Sequence, residues 1–291
     1  MFNGVQNVNE RLVSTDVCSL YPYTMAVHNG YYPCGDKIVE VDSYQGDDTL
    51  GFYYCDIDQS KLRERNLPNI YAMKSGIEND WSHTGLIENY MLSNIMIGLL
   101  KKYGCIVAIR NGFIFTEKKK SCDMFDFILN FMQAKNEQDT MKSKKDPAYN
   151  SALRETLKLL MNSLSGKVIE GLHSEKTEDV ASIVEFDKIK KKAKSINTIN
   201  TIGNKIFVSY EVDEESLCTS QQRPIYLGVF IYDYAKRYMF EYSYSKVGLD
   251  QLLYTDTDAS KFRYKRFIEW KQWLDENNVQ VPHWPEVEDK I

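Results

Sequence analysis

Asp16-Val17-Cys18-Ser19-Leu20-Tyr21-Pro22 is the stretch on which the fold turns. It closes a short apolar run, Leu12 to Val17, that reads as a buried strand with Asp16 at its end. Ser19 to His28 then turns into a helix, with Ser19 at the N-cap and Pro22 in the first turn. A strand-ending acid followed by a helix start presents a carboxylate at an edge, although Asp16 alone reads as a helix cap. At the other end of the chain, Tyr254-Thr255-Asp256-Thr257-Asp258 sits between strand-like Leu252–Tyr254 and Ser260–Phe262. That pattern is a hairpin with an acidic tip.

Between them lies Lys158-Leu159-Leu160-Met161-Asn162-Ser163-Leu164-Ser165-Gly166-Lys167, at the end of a helix expected over 151–165. Leu153, Leu157, Leu160 and Leu164 give that helix a buried stripe, and Arg154, Lys158, Asn162 and Ser165 share the opposite face. Working outward, strands are expected at Lys37–Asp42, Gly51–Asp58 and Lys205–Val212. Residues 88–102 read as a core helix striped by Met91, Ile95 and Leu99. Asn111-Gly112 reads as a hairpin turn between Cys105–Ile109 and Phe113–Thr116. Asp123 to Gln138 is a further amphipathic helix, and 266–277 a short one. Residues 224–246 read as a long helix with Leu227, Phe230, Ile231, Tyr234, Tyr238 and Tyr242 inward and Lys236 and Arg237 outward. Lys188 to Lys194 is a basic run, equally suited to phosphate contact and to a solvated surface.

Composition sets the bounds. The 291 residues are 43% hydrophobic with 20 tyrosines, enough for a core and for stacking on bases or sugars. A net charge of −5 argues against a protein that simply coats DNA, but not against one local basic groove. Cys18, Cys34, Cys55, Cys105, Cys122 and Cys218 are scattered and the four histidines isolated, so neither a zinc site nor a disulfide framework is read. Reduced cysteines fit an intracellular setting. Met1 to Glu10 is polar, unlike a signal peptide, and no apolar run reaches membrane-spanning length.

Two carboxylates brought together bind divalent cations through hard oxygen ligands. Two ions, Mg²⁺ or Mn²⁺, serve an in-line phosphoryl displacement, one at the attacking hydroxyl and one at the leaving group. The chain offers Asp16, Asp256 and Asp258 for the ions. Lys158 and Arg154 are the cations for a triphosphate, with Lys142, Lys144 and Lys145 behind them. Tyr21 is the candidate wall under a sugar, where its ring would clash with a 2′-hydroxyl.

In this order the three stretches resemble the A, B and C motifs of a family-B DNA polymerase. Asp16 to Pro22 matches D-x-x-S-L-Y-P, Tyr254 to Asp258 matches Y-x-D-T-D, and Lys158 to Lys167 matches K-L-x-x-N-S-x-Y-G-K except at Ser165. The spacing resembles the protein-primed branch of phages, adenoviruses and linear plasmids. The resemblance implies an α+β fold: a palm of antiparallel sheet with packed helices, helical fingers, and insertions between motifs. It implies Asp16 and Asp258 as principal metal ligands with the Val17 backbone, and Asp256 beside them. Ser19, Leu20, Tyr21, Arg154, Lys158 and Asn162 would meet the incoming nucleotide. Tyr254, Lys236, Arg237, Gly166 and Lys167 would meet DNA, with Gly228 to Lys236 as a template-contacting helix. Phe2-Asn3-Gly4 is similar to the linker that precedes such a palm.

The organisation implied is palm with motif A at 1–29 and palm continuation with an insertion at 30–140. Fingers with motif B follow at 141–169 and a second insertion at 170–222. Palm with motif C takes 223–265, and 266–291 starts a truncated C-terminal region. Motif A opens almost at Met1 and little follows motif C, so a palm-and-fingers chain is expected: either a split or truncated polymerase, with an exonuclease or thumb on another chain, or a fragment of a longer one. Expected partners are template-primer DNA, dNTPs and a terminal priming protein, with no membrane. Ser165 replaces a tyrosine that checks the nascent pair, and Ala259 a serine. A non-catalytic relative that binds DNA or a partner subunit is the alternative, disfavoured by the cost of crowding three acids. An RNA-synthesising or reverse-transcribing enzyme is disfavoured by Tyr21.

Overall fold

The computed structural model describes residues 11–17, 19–75, 78–169, 175–212 and 224–279. Along the chain run β1 (Leu12–Asp16), α1 (Leu20–Ala26), β2 (Tyr31–Val41), β3 (Gly51–Asp58), α2 (Ser60–Glu64), β4 (Met73–Ser75) and β5 (Glu78–Asp80). Next come β6 (Leu86–Ser93), α3 (Asn94–Lys102), β7 (Ile106–Lys120), α4 (Ser121–Met124), α5 (Asp126–Ser143) and α6 (Ser151–Ile169). They are followed by β8 (Glu175–Val180), α7 (Ile183–Lys192), β9 (Ala193–Ile202), β10 (Lys205–Val212) and α8 (Ile225–Met239). A π-helical turn at Phe240–Tyr244 leads into α9 (Ser245–Val247), and β11 (Leu252–Asp256), β12 (Ala259–Arg263) and α10 (Tyr264–Glu276) follow. The expected α+β architecture of antiparallel sheets with packed helices is present. Among the described residues no helix is long and apolar enough to cross a membrane.

Two compact units divide the chain, residues 1–165 with 227–291, and residues 166–226. In the second, β8, β10 and β9 form an antiparallel sheet whose Val208, Tyr210 and Val212 pack with Ile189 of α7. In the first, one sheet has the order β1-β12-β11, all antiparallel. Val13 pairs with Phe262, and both turn inward onto Phe267, Trp270 and Leu274 of α10. That spacing of three and four residues is one face of a helix. Thr15 is buried on the same side and donates to the Ser260 carbonyl at 3.2 Å. Alternation therefore sends Asp16 to the opposite face, at the strand end.

A four-stranded sheet, order β2-β7-β3-β6, packs its Tyr53, Cys55, Ile57 and Leu92 against Met96, Leu99 and Leu100 of α3. Here two expectations fail. Residues 88–93 are strand, not helix: Leu92 pairs with Tyr53 of β3, and the helix begins only after Ser93, whose hydroxyl accepts from the Met96 amide. Strand pairing overrides the helical spacing of Met91, Ile95 and Leu99, and Met91 is exposed. Asn111-Gly112 is not a turn either. It lies inside β7, a single strand paired with β2 on one side and β3 on the other. A Cβ at Gly112 would stand 2.1 Å from the Phe52 carbonyl oxygen, so the glycine marks close backbone approach.

The buried stripe of α6 also differs. Leu157, Met161 and Ser165 are buried, whereas Leu153 and Leu160 are exposed. The helix is rotated because Arg154 is tied to Asp139 of α5 and Asn150 to Gln138. The linker-like Phe2-Asn3-Gly4 lies outside the described residues.

Candidate functional site

Two stretches far apart in sequence meet at one point. Asp16, last residue of β1, stands opposite Ala259, first residue of β12, and the Val17 amide donates to the Asp258 carbonyl at 3.0 Å. Asp256 and Ala259 pair across the hairpin, leaving Thr257 and Asp258 as its two-residue loop. Thr257 has φ 53°, a left-handed conformation costly for a β-branched residue. This turn projects the Asp258 carboxyl onto that of Asp16, and the two share a hydrogen bond.

The electrostatics follow from that contact. Burial pushes the Asp258 carboxyl above the usual range, and the charges of Asp16 and then Asp256 add to it. Burial also raises Asp16, while the Lys158 ammonium pulls it back down. Lys158, on α6, acts on Asp16 through its charge. Asp256 stands apart: exposed, it accepts from the Tyr254 and Thr257 hydroxyls, each at 3.3 Å. Among the described residues no three His, Cys, Asp or Glu gather closely enough for one ion. The expected trio is an intimate pair with a flanking acid, because Asp256 ends β11 whereas Asp258 sits in the loop.

Tyr21, in the first turn of α1, leans on the same hairpin. Its hydroxyl bonds with Thr257, and burial raises its pKa, with Tyr232 and then Asp258 adding to the effect. Its ring meets Tyr232 of α8 edge-on, centroids 4.8 Å apart at 80°. Before it, Ser19 is left-handed at φ 57°, and its side chain makes no cap bond, contrary to expectation. The Leu20 side chain is core, packed with Val17, Ala235, Tyr238 and Met239, so only its backbone is available to a ligand.

The other candidates divide. Asn162 is exposed on the same helix as Lys158, while Ser165 is buried with its hydroxyl on the Asn162 carbonyl at 2.9 Å. Arg154 is committed to Asp139 and Glu155. Arg237 faces outward and pairs with Glu241 at 3.2 Å. Lys236 does not face outward. Its ammonium lies over the Tyr71 ring, 4.5 Å from the centroid, where burial lowers its pKa and Asp233 opposes the shift. It lines a cavity of 530 Å³ together with Tyr21, Tyr232, Trp81, Asp256 and Thr257. Gly166 is exposed, with open space where a Cβ would be, and Gly166 and Lys167 belong to the 166–226 unit. Sequence reasoning missed Tyr71, Trp81 and Tyr232; their aromatic character is the only signal they carry.

The profile of the DNA polymerase family of type B, organellar and viral, matches residues 3–247. A DNA polymerase of Kluyveromyces lactis is 25% identical over 295 residues, covering 96% of this chain and 26% of that protein. An uncharacterized protein of Invertebrate iridescent virus 3 is 25% identical over 121 residues, 41% of this chain and 73% of its own. Among solved structures, Phi29 DNA polymerase complexed with primer-template DNA and incoming nucleotide substrates has a TM-score of 0.54 at 19% identity. That match covers 87% of this chain and 39% of the other, and at this identity the likeness is one of fold. The chain thus spans about a quarter of the yeast relative's length and about two fifths of the Phi29 polymerase's.

Proposed function

Because the chain belongs to the organellar and viral type B DNA polymerases, we propose that it carries the nucleotidyl-transfer centre of such an enzyme, adding dNTPs to a primer 3′-hydroxyl on a DNA template. The observation that carries this reading is the Asp16–Asp258 contact, made between stretches far apart in sequence, with the Lys158 charge acting on Asp16. A carboxylate pair raised by burial, Asp258 further by the charge of Asp16, is a poor structural element and a good cation site. The donor set therefore fits divalent metal, with Asp16 and Asp258 as ligands, the Val17 carbonyl as a third oxygen, and Asp256 flanking. Mg²⁺ or Mn²⁺ held there would supply Lewis-acid activation and charge neutralisation for phosphoryl transfer.

The chain's own residues supply position and charge. Lys158 neutralises a triphosphate, and Asn162, on the same helix, binds it by hydrogen bonding. Tyr21 forms the wall under the sugar and excludes a 2′-hydroxyl. Ser19 and Leu20 offer backbone amides at the strand-to-helix link. Arg154 supports α6 rather than the nucleotide. Tyr254, Lys236, Arg237, Gly166 and Lys167 are the proposed DNA contacts, Lys236 from inside the cavity. Protein priming and a phage, viral or linear-plasmid genome complete the reading.

Primer extension tests it. The purified chain, with a short DNA template, dNTPs and Mg²⁺ or Mn²⁺, is expected to extend the primer, and Asp258→Asn is expected to abolish extension. Metal binding measured separately decides a negative result. A folded chain that binds metal without extending needs another chain, whereas one that binds no metal is not an enzyme of this kind.

A further inference from the structure

Sugar discrimination by a ring requires that the ring cannot retreat. On the Tyr21 side of the site, the base of the ring is fixed by the Val17–Leu20–Met239 cluster, and its hydroxyl by Thr257. Its lateral support is Tyr232, met edge-on at 4.8 Å. Both rings border the 530 Å³ cavity, which runs on toward Lys236 and Trp81. Without Tyr232 the Tyr21 ring would face open space on that side, room enough for a displacement that admits a hydroxyl. Ser165 cannot substitute: its side chain is buried against its own helix and has no ring.

We propose that Tyr232 is a specificity-determining positioning residue, which holds the Tyr21 ring in place and so sets the preference for deoxynucleotides over ribonucleotides. The inference rests on the reading of Tyr21 as the sugar wall. An edge-to-face pair is worth enough to bias the ring position about threefold to tenfold.

The test measures dNTP and NTP affinity of the full chain on a dideoxy-terminated primer-template with Mg²⁺, so that no turnover is needed. Tyr232→Ala is expected to reduce the NTP-to-dNTP discrimination about threefold to tenfold, mainly by tightening NTP binding. Tyr232→Phe, which keeps the ring edge, is expected to retain wild-type discrimination. Tyr232→Leu keeps apolar bulk without the ring and carries the test should the alanine variant unfold. Tyr21→Ala separates the two claims. If Tyr21→Ala loses discrimination while Tyr232→Ala and Tyr232→Leu keep it, the positioning role is wrong and the wall stands. If Tyr21→Ala keeps it, the wall itself is wrong, and a wild-type chain that binds neither nucleotide overturns both.

Discussion

Replacing Asp258 by asparagine should make the metal-free protein more stable while destroying its proposed activity. Asp16 and Asp258 share a hydrogen bond, and both carboxyls are raised by burial, Asp258 further by the Asp16 charge. Two unit charges about 4 Å apart repel by about 1–4 kcal/mol at effective dielectrics between water and a protein surface. Partial exposure and the Lys158 charge place this pair at the lower end, about 1 kcal/mol. Asparagine removes that repulsion and keeps a donor for Asp16. The expected gain is about 2–4 °C in Tm for a domain of this size, read by thermal unfolding in a chelator at pH 7. The sign with pH follows from raised folded-state pKa values. Protonation stabilises the wild type fully below the unfolded value near 4, and that stability is lost as pH rises through the folded values. The variant's advantage must therefore shrink on acidification toward pH 4. Mg²⁺ at a hundred times its Kd should add about 2.7 kcal/mol to the wild type and much less to the variant. A variant less stable than wild type at pH 7 without metal, or equal stabilisation of both by Mg²⁺, would refute the paired-carboxylate argument.

Three further outcomes follow from the packing. Gly112→Ala, with its Cβ directed at the Phe52 carbonyl and the Tyr53 backbone, should destabilise by about 1–3 kcal/mol or more, seen as a lower denaturant midpoint. Burial holds His28 down at about 4, with Arg237 adding to the shift. The unfolded chain then takes up that proton first, so about 1–3 kcal/mol of stability, full above pH 6.5, should be lost as pH falls toward 4, and His28→Asn should flatten that part of the pH–stability curve. Arg154→Ala should lower stability by about 1 kcal/mol, because its partners are Asp139 and Glu155, without changing dNTP affinity. Lys158→Ala should do the reverse, weakening dNTP binding about tenfold or more with little change in Tm; equal effects of the two in a nucleotide titration would contradict the division of labour on α6.

The Asp16–Asp258 contact is legible in part because its signals are local. A short buried strand that ends in Asp16, and a hairpin with an acidic tip, need only a few neighbouring residues to recognise. What was misread depends on partners distant in sequence. Lys236 was assigned to the outer face of its helix because helical spacing says nothing of Tyr71, which covers it from elsewhere in the chain. Helical spacing groups Arg154 with Lys158 and Asn162 and says nothing of Asp139, with which Arg154 pairs. Residues 88–93 carried apolar spacing compatible with a helix, yet β3 offered a sheet edge that claims them. Gly112 followed an asparagine, as hairpin turns do, and its actual cause is the backbone of β3 passing close by. Tyr232 lay outside the apolar stripe of α8 and had no pattern to mark it.

The site also explains why its turn is strained where the surrounding sheet is not. A two-residue loop with an easy glycine would close the same hairpin at lower cost, yet Thr257 holds φ 53°. Its hydroxyl bonds Asp256 on one side and Tyr21 on the other. The left-handed residue thus connects the flanking acid to the ring proposed to face the sugar, while its neighbour Asp258 is aimed at Asp16. Such strain, with the repulsion of the acid pair, amounts to a few kcal/mol. It is sustained by the core behind the sheet, where Val13, Phe262, Phe267 and Trp270 are buried. The hydroxyl and backbone geometry therefore have separable roles. Thr257→Gly should relieve the turn and stabilise the fold while releasing Tyr21, whereas Thr257→Ser should keep both bonds. If glycine preserved the orientation of Tyr21 and the discrimination between sugars, the turn would be a folding feature only, and the lateral contact with Tyr232 would have to carry the wall alone.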